Sequence, residues 1–297
     1  MPGKNGINIL SFAKNKKTKK RIFMVMGVVF SAWALLGQFF MQDRISDKEA
    51  KKEFALKGIP LTIATVKINS VSLHYVKTGN DTLPTIVFIH GSPGSWSAFT
   101  RYLQDTDLLK HYRLIAIDRP GFGYSNFGET KNLSQQSAVV GSLLHQIDNT
   151  KPMYLVGHSY GGPLIIKLAA ENALLVKGLV ILAGAVDAAE EKKELWRPVL
   201  IYSPIRWLVP SVLRYSNEEL WWLKKDLVKL KDDFPKVICP VTIMQGDKDV
   251  LVPYANAAYA QHMLINAGAV KMITLYNENH FIVWTQYEAI KNVLLQL

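Results

Sequence analysis

From residue 62 onward the sequence keeps changing its hydrophobic period. Short β-branched or apolar runs stand at 62–68, 71–76, 85–90, 113–117, 153–157, 178–183, 240–245 and 271–276. Between the later runs lie stretches whose apolar residues recur at helical spacing, at 134–147, 162–173, 254–267 and 281–297. Strand then helix, repeated, predicts an α/β fold: a mostly parallel twisted sheet with helices on both faces. The first two runs are too close for a crossover and are joined by Asn69 and Ser70, which predicts an antiparallel hairpin at one edge.

One stretch breaks the alternation. Residues 187–235 hold no convincing strand but carry Trp196, Trp207, Trp221, Trp222 and several prolines. An insertion of this kind between two sheet strands predicts a small helical cap over the strand ends. The other reading is an ordinary long crossover packed on the sheet.

Charge divides the chain. Seven of its net +11 charges fall in residues 1–21, a basic tail that contains no acid, so the remainder carries only about +4 and gives little reason to invoke nucleic acid. The tail abuts residues 22–41, which contain no charged side chain. Twenty helical residues reach about 30 Å, the thickness of a bilayer's hydrocarbon core. Phe39, Phe40 and Met41 stand where a cleavable signal peptide would carry small residues, so 22–41 is expected to be an uncleaved transmembrane signal anchor. The basic flank then puts the N-terminus in the cytoplasm and the rest of the chain across the membrane, in the periplasm if the source is bacterial. Residues 42–60 mix both charge signs and are expected to form a solvated stalk. Cys239 is the sole cysteine, which excludes an intrachain disulfide and a Cys/His metal cluster built on it; between Ile238 and Pro240 it reads as a small core residue.

Residues 153–162 read MYLVGHSYGG. The pattern G-x-S-x-G is cheap alone, but here it follows an apolar run and precedes a helical one with Pro163 in its first turn. Strand, tight turn and helix form the setting in which a serine hydroxyl projects at the carboxyl end of a sheet, with the Tyr160 N–H free to face an oxyanion. Ser159 is therefore a candidate nucleophile, and a nucleophilic serine needs a base and a carboxylate to orient that base. Asp249, in QGDKDVLVP, and His280, in YNENHFIVW, follow the runs at 240–245 and 271–276, so both sit past the carboxyl ends of strands. Upstream, FIHGSPGSW offers a glycine-rich turn whose Ser92 N–H can supply a second oxyanion donor, and Asp118 in DRPGFGYS reads as a turn-stabilising side chain.

Taken in order, HGSPGS, DRPGFGYS, GHSYGG, GDKDVLVP and NHF make residues 61–297 resemble the α/β-hydrolase superfamily, in its serine-nucleophile esterase and lipase-like branch. The resemblance implies Ser159 as nucleophile, His280 as base, Asp249 as acid, and oxyanion donors at Ser92 and Tyr160, with no cofactor and no metal. Asp247 competes for the acid role, but the family sets the acid a few residues before a VP pair, and Val252-Pro253 favours Asp249. A serine at the elbow argues against the dehalogenases and epoxide hydrolases of the fold, which use aspartate. The expected function is hydrolysis of a carboxylic ester with an apolar acyl group through an acyl-enzyme. An aminopeptidase, a carbon–carbon bond hydrolase, an acyltransferase and a non-catalytic membrane-tethered binding protein remain as alternatives.

Overall fold

The computed structural model describes residues 16–40, 44–192 and 194–297. Its eight strands are β1 (Thr62–Ile68), β2 (Val71–Thr78), β3 (Thr85–Ile89), β4 (Arg113–Ile117), β5 (Met153–His158), β6 (Val176–Leu182), β7 (Val241–Gly246) and β8 (Val270–Leu275), joined in one sheet in the order β1-β2-β4-β3-β5-β6-β7-β8. β1 and β2 form the edge hairpin, turning at Asn69 with φ 54°, a left-handed conformation that asparagine tolerates better than most residues. β2 is also antiparallel to β4, and every later pairing is parallel.

The helices are α1 (Lys16–Phe40), α2 (Asp47–Leu56), α3 (Thr100–Leu103), α4 (Thr106–His111), α5 (Leu133–Gln146), α6 (Gly161–Glu171), α7 (Arg197–Tyr202), α8 (Ser211–Leu230), α9 (Ala255–Met263), α10 (Ile282–Thr285) and α11 (Tyr287–Leu294). Successive side chains of a strand point to opposite faces, so a sheet covered twice needs apolar residues at every position. β3 and β4 meet that demand, with all five residues of each buried. Val87, Ile89, Ile115 and Ile117 join the core under α5, α6, the second half of α8 and α9. Ile86, Phe88, Leu114 and Ala116 join the opposite core under α2, α3, α4, α10 and α11.

The segment at 187–235 combines both of its sequence readings. The C-terminal half of α8 is a crossover helix, with Leu223, Leu227 and Leu230 buried in the first core. Its N-terminal half, with α7 and a 3₁₀ turn at Pro204–Leu208, lies over the strand ends as a cap, where Ser216 reaches Ser92 in the loop after β3.

The expected stalk is partly a structural element of the body. Ser46 and Glu49 form a capping box that starts α2. The helix then buries Ala50 and Phe54 completely, the latter against Trp96. The mixed charges at 47–56 lie on the outer face of an amphipathic helix whose inner face is Ala50 and Phe54, four apart. Phe54→Ala is therefore expected to cost about 3–5 kcal/mol in urea unfolding, against about 0.5 or less for a residue in a true stalk.

Among the described residues, no helix is long and apolar enough to cross a membrane. The span expected at 22–41 falls partly outside them, since residue 41 and the side chains at 33–35 and 37–40 are not described.

Candidate active site

The carboxyl ends of β3, β5, β7 and β8 deliver the four sequence-marked segments to one place. Ser159 takes φ 54°, a left-handed backbone that costs a non-glycine residue about 1–3 kcal/mol and is held by its surroundings. Its N–H donates to the Leu182 carbonyl at 2.9 Å, and its own carbonyl accepts from Gly162 N–H at 2.9 Å and Ala185 N–H at 3.2 Å. The flanking glycines are required by close approach. A Cβ on Gly157 would lie 2.3 Å from the Gly161 carbonyl oxygen, and one on Gly161 would lie 2.3 Å from that of Ile89.

His280 and Asp249 meet. His280 Nδ1 donates to Asp249 Oδ2 at 2.7 Å, which leaves Nε2 as the ring's proton acceptor. Asp249 also accepts from Leu251 N–H at 2.9 Å, Val252 N–H at 2.8 Å and Gln245 Nε2 at 3.0 Å. Four donors thus fix the carboxylate that fixes the imidazole. Asp247, the competing acid, instead closes the neighbouring turn by accepting from Asn277 N–H. Asp118 likewise holds a turn, accepting from Trp96 N–H, Tyr124 N–H and His74 Nδ1.

Ser159, His280, Ser92 and Tyr160 all line one cavity of about 510 Å³. This volume falls within the range of small-molecule sites. The segment at 187–235 contributes Leu220 and Leu223 of α8, and also the charged Glu191 and Arg197. Burial raises the Glu191 carboxyl above its ordinary value, with Arg197 opposing the rise. The cap tryptophans do not line this cavity. Trp196 and Trp207 are 49% and 63% exposed, and the tryptophan that lines it is Trp284, beyond His280. Helical spacing places aromatics on a face without saying which face looks inward.

Two kinds of supporting residue escaped the sequence reading. His158 Nε2 donates to the His280 carbonyl at 3.1 Å, and its ring lies 4.9 Å from that of His280. Burial, with His280 beside it, pushes His158 down to about 3, so it stays neutral and supports the loop without titrating near neutrality. Arg119 and Glu219 form a fully buried ion pair between the loop after β4 and α8. Arg119 was visible in DRPGFGYS, yet only the aspartate beside it drew notice; Glu219 sits in a charge-rich helix and gives no signal. Cys239 is buried as expected, with its thiol pushed up to about 11 by burial.

A family model described as alpha/beta hydrolase fold matches residues 84–204. Epoxide hydrolase 1 of Caenorhabditis elegans is 28% identical over 158 residues, covering 52% of this chain and 38% of its own length. Serine hydrolase BPHL of Mus musculus is 27% identical over 228 residues, covering 69% of this chain and 77% of that protein. The chain also spans 54% of Epoxide hydrolase 3 of Xenopus tropicalis, so it matches about half or less of both epoxide hydrolases. Among solved structures, a putative aryl esterase from Burkholderia cenocepacia superposes with a TM-score of 0.64 at 19% identity, covering 79% of this chain and 97% of that one. A bacterial membrane phospholipase A superposes with a TM-score of 0.60 at 19% identity, covering 94% and 99%. At these identities the likeness is one of fold.

Proposed function

We propose that this chain, which has the α/β-hydrolase fold, is a serine hydrolase that cleaves a carboxylic ester through an acyl-enzyme. The observation that carries the reading is the left-handed Ser159 elbow opening into the same cavity as a histidine already hydrogen-bonded to a buried aspartate. Ser159 Oγ attacks the ester carbonyl and passes its proton to His280 Nε2, while Asp249 steadies the imidazolium. The carbonyl oxygen, now an oxyanion, is received by the N–H groups of Ser92 and Tyr160. Collapse breaks the ester C–O bond, and the leaving alkoxide takes the proton from His280. Water then enters, gives its proton to the same nitrogen and attacks the acyl carbon. Breakdown of this second intermediate releases the carboxylic acid and returns the proton to Ser159.

The cavity supports an acyl group that is apolar along Leu220 and Leu223 and polar toward Glu191 and Arg197. Similarity to epoxide hydrolases does not carry their chemistry here, because the elbow presents serine where those enzymes use aspartate. The direct test is labelling of the full chain by a serine-directed fluorophosphonate, with the modified peptide mapped to Ser159. Labelling that persists in Ser159→Ala would sink the assignment.

The basic tail followed by an uncharged stretch also supports a single-pass anchor at 22–41, with the N-terminus in the cytoplasm and the hydrolase body across the membrane. Full-length chain is then expected to stay in the membrane pellet after alkaline carbonate extraction. Release into the supernatant would remove the anchor from this reading.

A further inference from the structure

The cap helix α8 meets the loop after β3 directly through Ser216, and one turn on its Glu219 meets Arg119 in the loop after β4. On a helix, residues three apart share a face. Ser92 Oγ donates to Ser216 Oγ at 2.8 Å. Glu219 accepts from Arg119 with both carboxylate oxygens, each at 2.8 Å, and from Gln136 Nε2 at 3.0 Å.

Arg119 carries this contact inward. It is fully buried, and all five of its guanidinium N–H groups are used. Besides the two to Glu219, Nη1 donates to Gln136 Oε1 at 2.9 Å, Nε donates to the His90 carbonyl at 2.9 Å, and Nη2 donates to the Gly91 carbonyl at 2.8 Å. The Gly91 carbonyl accepts a second bond, from His90 Nδ1 at 2.7 Å. The peptide unit linking Gly91 to Ser92 is planar and trans, so its N–H points opposite to its carbonyl. Fixing the Gly91 oxygen on the Arg119 side therefore fixes the direction of the Ser92 N–H on the other. The same guanidinium stacks on the Tyr160 ring at 4.4 Å from its centroid. Tyr160 OH in turn accepts from Gln136 Nε2 at 3.3 Å. One side chain thus holds the carbonyl of the peptide that carries the Ser92 N–H and packs on the ring of Tyr160.

We propose that Arg119 and Glu219, with Ser216, are positioning residues that make the oxyanion hole conditional on the seat of the cap: α8 in place holds the Gly91–Ser92 peptide in its receiving orientation, and α8 displaced lets it turn. This rests on the reading of Ser92 and Tyr160 N–H groups as oxyanion donors. Neither Arg119 nor Glu219 lines the cavity. Their effect is transmitted through the peptide plane and falls on the transition state, where the oxyanion forms, rather than on ground-state binding. A cap that moves to admit substrate would then also switch the catalytic hole, so that chemistry waits for closure.

The test uses the full chain with p-nitrophenyl butyrate as substrate and a phenylboronic acid, which forms a tetrahedral adduct on the serine, as inhibitor. Glu219→Gln is expected to lower kcat about 10–100-fold, because a small misplacement of one donor is enough to lose this much. KM is expected to stay within about twofold while the boronic acid Ki rises in step with the fall in kcat. Glu219→Asp should recover part of the loss, and Ser216→Ala should lower kcat by about fivefold, the worth of one ordinary hydrogen bond. All three variants are checked by thermal unfolding, and if Glu219→Gln does not fold, Ser216→Ala decides by the same split. A folded variant with wild-type kcat overturns the proposal. So does a rise in KM alone, which would make α8 only a wall of the substrate site. Wild-type labelling by the fluorophosphonate, abolished in Ser159→Ala, keeps the two ideas apart: with labelling intact, a silent Glu219→Gln counts against the latch alone. Absence of labelling in the wild type removes the serine-hydrolase reading and the latch with it.

Discussion

Ser159→Ala in the full chain is expected to lower turnover of p-nitrophenyl butyrate by about 10⁴–10⁶-fold, since the acyl-enzyme route disappears and only the oxyanion donors and substrate binding remain. KM should change little, because alanine removes one oxygen without filling the cavity. The substitution should not cost stability. Ser159 holds its left-handed turn through backbone bonds to Leu182, Gly162 and Ala185, and alanine keeps all three. A near-wild-type rate in a folded Ser159→Ala protein would place the chemistry elsewhere, and a parallel loss of folding would show that the residue matters as a turn and not as a nucleophile. Steady-state kinetics with an unfolding curve on the same preparation separates these results.

The second large effect distinguishes two aspartates two residues apart. Asp249→Asn is expected to lower kcat by about 10⁴-fold, as an amide in that place keeps the shape but no longer holds the imidazole with Nδ1–H toward it or balances its charge. Asp247→Asn should leave kcat within about threefold, because its contact with Asn277 N–H is a turn bond that the amide oxygen can also make. The structural ground for the contrast is the 2.7 Å bond from His280 to Asp249. Equal losses in both variants would remove that ground, since no local rearrangement lets both carboxylates face one nitrogen at once. Measuring pH–rate profiles for both variants adds a check: a residue acting through His280 alters the profile, and one that only closes a turn leaves it in place.

Much of the fold could be read because its signals are local. Period two in the strands, period 3.6 in the helices and short apolar runs buried on both faces are properties of neighbouring residues, and all eight strands lie where those runs stand. The nucleophile elbow is local too: Gly157, Ser159 and Gly161 state the turn within five residues, and the 2.3 Å approaches explain why both glycines lack a side chain. The aspartate that meets His280 was legible to within two residues, and Val252-Pro253 pointed to Asp249, whose carboxylate the Val252 N–H itself binds.

What the sequence misplaced depends on distance through space. Residues 42–60 look solvated because charge is counted along the chain, whereas the fate of α2 was decided by the pocket around Trp96 that Phe54 enters. The sequence predicts a tryptophan-rich cap without saying which way it faces, and the orientation of α7 leaves Trp196 exposed and turns Arg197 to the cavity. The Arg119–Glu219 pair spans 100 residues, and neither partner's spacing points to the other. The sequence alone determined the sheet, the Gly157–Gly161 elbow and the order along the chain of Ser159, Asp249 and His280, since hydrophobic period and turn chemistry act between neighbours. Which aspartate meets His280, what the cap presents to the cavity and which carboxylate meets Arg119 were decided by tertiary packing, because a buried charge is satisfied by whichever partner the fold brings within 3 Å.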